Sequence, residues 1–175
     1  MRGFERGLAG IVLAVAVAGV AVAAGLSLPE ALAGVYKSSF ENGLVTGETY
    51  RSEDILEIVP TAARAAYVRI SLEFYNGHSC SLSGIAHVEG ADLVYRESAS
   101  KKVGDTLCVL HVRRTGAKIE ISDEDGSCKA YCGARGSLSG DSFPASSRRT
   151  IRYLPRLKAS RQFKEALQED AARAP

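Results

Sequence analysis

The sequence predicts a mainly β protein, a small antiparallel up-and-down barrel of about eight strands with a C-terminal α-helix. Short segments in which apolar and polar residues alternate recur between residues 35 and 139, which is typical of half-buried strands. Residue pairs that favour tight turns separate these segments. The chain from residue 148 onward differs in composition, because it is rich in arginine and lysine and its apolar spacing fits a helix. These observations divide the chain into a leader (1–33), a barrel (34–145) and a basic tail (146–175).

The first 33 residues have the composition of a secretory signal peptide. Arg2 and Arg6 precede an uncharged run, Gly7–Leu28, made mainly of Ala, Val, Gly and Leu. Ala31-Leu32-Ala33 supplies the small residues that a signal peptidase accepts, so we predict cleavage after this triplet and a mature chain that starts at Gly34. An uncleaved membrane anchor is the alternative, because the 22 residues of the run can span a bilayer. Cleavage predicts a periplasmic or secreted protein.

Eight segments in the barrel region are predicted as strands. The clearest is Val68–Phe74, in which apolar and polar residues alternate without a break. A closed barrel is preferred to a small sandwich, because closure leaves no edge strand exposed. The predicted strands are Val35–Phe40, Asp54–Val59, Val68–Phe74, Cys80–Val88, Asp92–Arg96, Leu107–Arg113, Lys118–Ser122 and Ala134–Ser139.

Two hairpins have turn signals clear enough to predict a register. A three-residue loop, Asn76–His78, keeps the apolar residues of both flanking strands on one face of the sheet. A two-residue turn at Thr115-Gly116 does the same for the next hairpin, and places Cys108 opposite Asp123. The predicted pairs are Phe74 with Cys80, Leu72 with Leu82, Val112 with Ile119, and Leu110 with Ile121.

The chain has four cysteines, which in an exported protein predict two disulfides. Three connectivities are possible. Alternating strand direction places all four cysteines at one end of the barrel, and Cys108 faces the strand that leads to Cys128. We therefore favour Cys108–Cys128 and Cys80–Cys132. A zinc site is the alternative, but the closest pair has the spacing C-x-x-x-C, and an oxidising compartment disfavours thiolate ligands.

The longer connections, 41–53, 98–106 and 123–133, are predicted at the same end as the cysteines. Binding residues of barrels commonly lie in such loops, so this end is the candidate binding surface. The acidic run Asp123–Asp125 resembles a calcium loop, but the glycine comes too early and no Glu closes a twelve-residue frame, so we interpret it as a turn. The candidate residues are Asn76, His78, Lys101, Lys102, Asp123, Glu124, Asp125 and Tyr131.

The tail is chemically distinct from the barrel. From residue 148 onward it has eight basic and three acidic residues, a net charge of +5, whereas residues 34–147 have twelve basic and fifteen acidic, a net charge of −3. A basic helix of this kind binds an anionic membrane or a partner. The preferred interpretation is that it docks on its own acidic barrel or stays solvated. The cations of residues 148–164 are Arg148, Arg149, Arg152, Arg156, Lys158, Arg161 and Lys164.

The sequence contains no motif that indicates an enzyme. The sequence has no G-x-S-x-G, H-E-x-x-H, P-loop or G-x-G-x-x-G motif. His78, His87 and His111 have no spacing that indicates a nucleophile and base. The overall charge of +2 gives no support to nucleic-acid binding. We therefore predict a protein that is not an enzyme and that has no metal or cofactor.

Four spaced motifs mark the barrel region: Gly34-x-Tyr36, His78-x-Cys80-x-Leu82-x-Gly84-x-Ala86, Cys108-x-Leu110 and Cys128-x-x-Tyr131-Cys132-Gly133-Ala134-x-Gly136. Together they resemble a secreted proteobacterial β-barrel domain associated with lysozyme inhibitors of the LprI type. The resemblance covers about residues 34–140 and implies a periplasmic, disulfide-bonded domain. The helical cysteine-rich module that defines those inhibitors has no counterpart in this sequence, so no residue is assigned to lysozyme inhibition.

Together these observations predict a non-enzymatic binding protein of the cell envelope with a protein partner, for which the resemblance names lysozyme. A barrel that holds a small apolar ligand in its interior is one alternative. A structural envelope component that contacts the membrane through its basic tail is another. The packing of the barrel interior discriminates the first alternative, because bulky side chains that fill it leave no room for a ligand.

Overall fold

The structure, a computed structural model that describes residues 25–173, contains eight antiparallel strands in one sheet. They are β1 Gly34–Gly43, β2 Thr49–Ala62, β3 Ala65–Glu73, β4 Ser79–Glu89, β5 Asp92–Arg96, β6 Val109–Thr115, β7 Lys118–Asp123 and β8 Ser142–Pro144. Each strand pairs with the next along the chain. The sheet forms a nearly closed barrel, since Val35 of β1 bridges Arg149, which follows β8. The predicted fold class is confirmed.

Among the described residues, three α-helices accompany the barrel: α1 Leu28–Leu32, α2 Leu154–Ala159 and α3 Arg161–Ala171. Pro155 lies in the first turn of α2, where its missing N–H costs nothing. Ser160 is the N-cap of α3, and its hydroxyl accepts a hydrogen bond from the Phe163 N–H at 3.3 Å. No helix within residues 25–173 is long and apolar enough to cross a membrane.

Seven of the predicted strands correspond to β1–β7, but the prediction of a strand at Ala134–Ser139 is wrong. This segment forms turns and bends, and the eighth strand is β8, with the Phe143 side chain buried in the barrel. The alternation of apolar and polar residues does not reveal the hydrogen bonds that fold this segment into a loop. The Lys129 ammonium donates to the carbonyls of Ala134 and Gly136, at 3.2 and 2.7 Å, which holds the segment in a compact loop.

The register of the first predicted hairpin is wrong by two residues, although its faces are right. Leu72 pairs with Cys80, because the loop consists of Tyr75–Gly77 rather than Asn76–His78. Asn76 and Gly77 both have positive φ, 60° and 72°, which an Asn-Gly pair adopts at little cost. A shift of two residues preserves the alternation of the strand, so both apolar sets remain inside.

The second hairpin shows the same error for the same reason. Val112 pairs with Ile121, and Asp123 lies opposite Leu110 rather than Cys108. The turn is at Gly116-Ala117, with Gly116 at φ 58°, one residue later than predicted, so β6 continues to Thr115 while β7 still begins at Lys118. Turn composition therefore located the hairpin, and the identity of the two central residues decided the register.

The apolar residues form two separate clusters, one inside the barrel and one outside it. The inner cluster joins inward-facing side chains from all eight strands, including Tyr36, Tyr95 and Phe143. The outer cluster joins the outward face of β1–β4 to the tail, with the rings of Tyr67 and Phe163 4.7 Å apart. The structure thus shows the tail docked on its own barrel. The outer cluster consists of Val35, Val59, Ala65, Tyr67, Ile85, Ile151, Leu157, Phe163 and Ala166.

Residues 1–24, most of the predicted signal peptide, lie outside the described residues. The last residues of that segment, from Leu28 onward, pack against the barrel. Leu32, at the end of α1, is only 1% exposed and belongs to the inner cluster. The Tyr36 hydroxyl donates to the Leu32 carbonyl at 2.9 Å. The folded body of the protein therefore begins at Leu28 rather than at Gly34.

Candidate binding surface

The up-and-down topology gathers four connections at one end of the barrel, here called the loop end. These are the connections 44–48, 74–78, 97–108 and 124–141. The opposite end has only the short turns 63–64, 90–91 and 116–117 between its strands. The end that the sequence predicted as the binding surface is the one with the long connections.

Both disulfides lie at the loop end, and they are the two pairs that the sequence favoured. Cys80, in β4, bonds to Cys132, and Cys108, just before β6, bonds to Cys128. Cys80, Cys108 and Cys128 are fully buried. Because Cys128 and Cys132 both belong to the connection 124–141, this loop is covalently attached both to β4 and to the connection 97–108.

A buried carboxylate provides a second anchor for the same loops. Glu97, the residue after β5, is only 5% exposed and accepts three hydrogen bonds. The donors are the N–H groups of Val103 and Cys108, both at 2.9 Å, and the Tyr131 hydroxyl at 2.6 Å. Burial and the bond to Glu97 raise the pKa of Tyr131 far above its usual range. Glu97 thus joins the connection 97–108 to the connection 124–141.

Tyr131 was predicted as a surface residue, and the structure gives it this internal role instead. Sequence reasoning also missed Glu97 as its partner. Nothing in the pattern distinguishes Glu97 from the exposed acids of the chain, since it follows an ordinary strand and precedes a polar loop. Glu97 is buried because its own connection folds back over it and the connection 124–141 packs against it.

The acidic run at residues 123–125 forms a turn before Cys128, as predicted. One carboxylate oxygen of Asp123 accepts from the Cys128 N–H at 3.0 Å, and Asp125 adopts a positive φ of 49°. Glu124 and Asp125 remain exposed. No group of three or more potential metal ligands occurs in the described part of the chain.

His111 connects this turn to the side of the barrel. Its Nδ1 lies 3.1 Å from an Asp92 carboxylate oxygen, and its Nε2 lies 2.9 Å from a Glu124 oxygen. Arg113 makes two hydrogen bonds of 2.6 Å to the same Asp92. The Arg113 guanidinium lowers the pKa of Asp92, and the bond to His111 contributes. His111 therefore acts as a structural bridge.

The two lysines of the predicted surface differ in their environment. The Lys101 ammonium lies 3.2 Å from a Glu169 oxygen of α3 and 5.9 Å from the centre of the Tyr95 ring, so it ties the loop end to the tail. Lys102 is exposed. Asn76 and His78 occupy the 74–78 connection, where His78 lies against Gly133. Lys102, Glu124 and Asp125 are the predicted surface residues that stay open to solvent.

Four exposed apolar side chains at the loop end were not predicted. Val45 is 68% exposed and Val103 is 53% exposed, and Tyr75 and Leu107 are also open to solvent. Large apolar groups held in the open by fixed loops are typical of protein-binding surfaces. We call the open set the loop face; it consists of Val45, Tyr75, Lys102, Val103, Leu107, Glu124 and Asp125.

The basic tail forms a separate surface. All seven cations of residues 148–164 are exposed. Arg161 pairs with Glu165 on α3, and no acid within residues 25–173 lies at ion-pair distance from the other six. Arg148 and Arg149 also border an open groove of about 340 Å³ whose apolar floor includes Ile58 and Ile151.

The barrel interior is filled with side chains. Inward-facing residues of every strand contact one another in the inner cluster. Gly84 shows how close this packing is, since a Cβ at that position would lie 2.2 Å from the Tyr95 ring. A larger residue at position 84 would displace the ring, so glycine is required for this packing.

Comparisons of the chain with protein families, with curated proteins and with solved structures found no match.

Proposed function

We propose that this chain is an exported, non-enzymatic binding protein that takes a protein partner on its loop face. The observation that carries the proposal is the convergence of both disulfides and the buried Glu97 carboxylate on the connections 97–108 and 124–141, the first of which displays the exposed Val103 and Leu107. Loops held in one conformation lose little entropy when a partner binds, and exposed apolar side chains supply the contact energy. Disulfides are typical of an oxidising compartment, which supports export.

The filled interior favours a surface role over a ligand inside the barrel. Tyr36, Tyr95 and Phe143 are three large side chains in the inner cluster, and each is about 1% exposed. A ligand of drug size needs a pocket of roughly 300–1,000 Å³. Opening that volume among these rings would require the packed side chains of the inner cluster to separate.

The charge of the barrel favours a basic partner. Residues 34–147 have a net charge of −3, and Glu124 and Asp125 are exposed on the loop face. Opposite charges steer association and raise its rate. The resemblance to domains associated with lysozyme inhibitors proposes lysozyme, a basic protein, as the partner to test first.

The test is binding of the oxidised protein to c-type lysozyme by calorimetry, with lysozyme activity measured in parallel. We expect one-to-one binding and loss of activity. The double variant Val103→Ser, Leu107→Ser should weaken binding at least about tenfold, because it removes two apolar contacts of the loop face. Leu167→Ser, an exposed apolar position on α3, is the matched control and should bind normally.

Two results would reject parts of this proposal. Undiminished binding by the double variant would reject the loop face as the contact surface. No binding to lysozyme, with its activity unaffected at large excess, would reject the partner and leave the loop face to be tested against other envelope proteins.

The basic tail supports a second candidate, contact with an anionic membrane. Its apolar residues Leu157, Phe163 and Ala166 are buried against the barrel, so this contact would be electrostatic and sensitive to salt. Sedimentation with anionic vesicles at low and high salt tests it. The triple variant Arg148→Gln, Arg149→Gln, Arg152→Gln should lose binding, and binding that persists at high salt would contradict the mechanism.

A further inference from the structure

Helix α1, here called the plug, packs against β2 and β5 at the end of the barrel opposite the loop end. Helix α1 starts after Ser27, whose N–H and hydroxyl both donate to a Glu30 carboxylate oxygen at 3.0 Å. Pro29 lies in its first turn and is buried. Local capping of this quality is typical of a helix that belongs to the folded protein.

The plug is attached to the barrel by packing and by hydrogen bonds. Leu32 lies in the inner cluster, and Leu28 packs against it. The Leu32 carbonyl accepts from the buried Tyr36 hydroxyl, and the Ala31 carbonyl accepts from the Arg148 guanidinium, both at 2.9 Å. Cleavage after Ala33 would remove the core residue Leu32 and its neighbour Leu28, and would leave the Tyr36 hydroxyl without its acceptor.

The sequence upstream of the plug contains a second small-x-small triplet, and the apolar region before it has the usual length for a signal peptide. Signal peptides have an apolar region of about 7–15 residues before a small-x-small triplet. Gly7–Val20 has 14 residues and is followed at once by Ala21-Val22-Ala23. The run that precedes the downstream triplet Ala31-Leu32-Ala33 reaches 22 residues and is followed by Pro29 and Glu30.

We propose that signal peptidase cleaves between Ala23 and Ala24, so that the mature chain retains α1 as a structural plug. Water adds across this amide bond, Ala23 becomes the carboxyl terminus of the released peptide, and Ala24 becomes the new amino terminus. The four residues Ala24–Ser27 then lead into the folded body, and Gly25 and Leu26 among them are exposed. The inference rests on the proposed export of the chain.

The test is expression of the full chain with its own N-terminus in a bacterial host, followed by intact mass measurement and N-terminal sequencing of the exported protein. We expect a chain that begins at Ala24, ten residues longer than one that begins at Gly34. Ala23→Gln should abolish cleavage at this bond, because signal peptidase requires a small residue there. Ala33→Gln is the matched control and should be processed normally.

A mature chain that begins at Gly34 or at any residue other than Ala24, or a block of processing by Ala33→Gln, would overturn the proposal while leaving export intact. Retention of residues 1–23 in the isolated protein would overturn it together with export by cleavage. The N-terminal sequence reports the bond that is cleaved, and the lysozyme assay, made on protein whose N-terminus is known, reports partner binding, so failure of one proposal is distinguishable from failure of the other.

Discussion

The loop end and the tail-covered face of the barrel differ in what attaches the chain outside the strands to the sheet. At the loop end, the connection 124–141 is attached by two disulfides. On the outer face of β1–β4, the tail is held by apolar packing, centred on the contact of Phe163 with Tyr67. An irregular loop buries too little apolar surface to hold itself in place, whereas a helix presents a continuous apolar stripe.

A buried carboxylate occurs in both regions, with different compensation. Glu57, which is 0% exposed, contacts the Arg69 guanidinium and the hydroxyl of Tyr153 from the tail. Glu97 accepts instead from two backbone N–H groups and the hydroxyl of Tyr131. In each case a tyrosine from a distant segment donates its hydroxyl to the carboxylate, so each pair connects that segment to the barrel. A cation neutralises the first carboxylate, and amide dipoles stabilise the second.

The largest expected effect is loss of the disulfide that closes the longer loop. Cys80→Ala, Cys132→Ala opens a separation of 52 residues, and we expect the free energy of unfolding to fall by about 4 kcal/mol. Urea denaturation measures this. The matched variant Cys108→Ala, Cys128→Ala opens a separation of 20 residues and should lose about 3 kcal/mol. In either variant, the amide protons of α3 should lose no more protection from hydrogen exchange than the fall in global stability explains. A larger loss of protection in α3 would show that the two regions are coupled.

Removal of the central aromatic group of the tail contact should be nearly as costly. Phe163 is buried on Tyr67, and Phe163→Ala should destabilise the protein by about 3 kcal/mol and expose the tail to proteolysis. Leu167→Ala, on an exposed position of the same helix, should change stability by less than about 0.5 kcal/mol. Equal effects of the two substitutions would contradict the assignment of the buried face of α3.

Loss of the loop-end carboxylate should have a smaller but local effect. Glu97→Gln replaces an acceptor oxygen by an NH₂ group, so one buried donor loses its partner and stability should fall by about 2 kcal/mol. Limited proteolysis should then cut within residues 98–106 first. Glu89→Gln, which breaks an exposed pair with Arg96, is the control and should stay within about 0.5 kcal/mol of the parent protein. A stable variant with uncut loops would show that the disulfides suffice.

The smallest effect concerns the pH dependence of the tail contact. Burial and the bond to Glu57 raise the pKa of Tyr153 to about 12. Because the folded pKa is above the unfolded value, this stability is fully present below pH 10 and is lost as the pH rises from about 10 to about 12. Tyr153→Phe should lessen the alkaline loss in a pH series of urea melts. Burial also raises the pKa values of Tyr36, Tyr67 and Tyr95, so a part of the loss should remain. An identical alkaline loss in the variant would contradict this role.

Prediction from the sequence succeeded where one local property decides the outcome. Alternation located β3, and turn residues such as Asn76-Gly77 located the hairpins. Strand direction was enough to bring the four cysteines together, and the favoured pairs are those observed. Prediction failed at Ala134–Ser139, where weak alternation was overridden by the bonds of Lys129 to two carbonyls of the loop. The roles of Glu57, Glu97 and Tyr131 were likewise beyond local pattern.

The sequence by itself determined the antiparallel barrel, its order of strands and the end at which its long loops lie, because alternation and turn preference act between neighbouring residues. Only the tertiary structure decided which polar residues are internal and which apolar residues are open. The charged Glu57 is buried beneath the tail, whereas the apolar Val103 is exposed on the loop face, which is the reverse of what their chemistry predicts. Burial depends on which distant segments arrive, and that arrangement is a property of the whole chain.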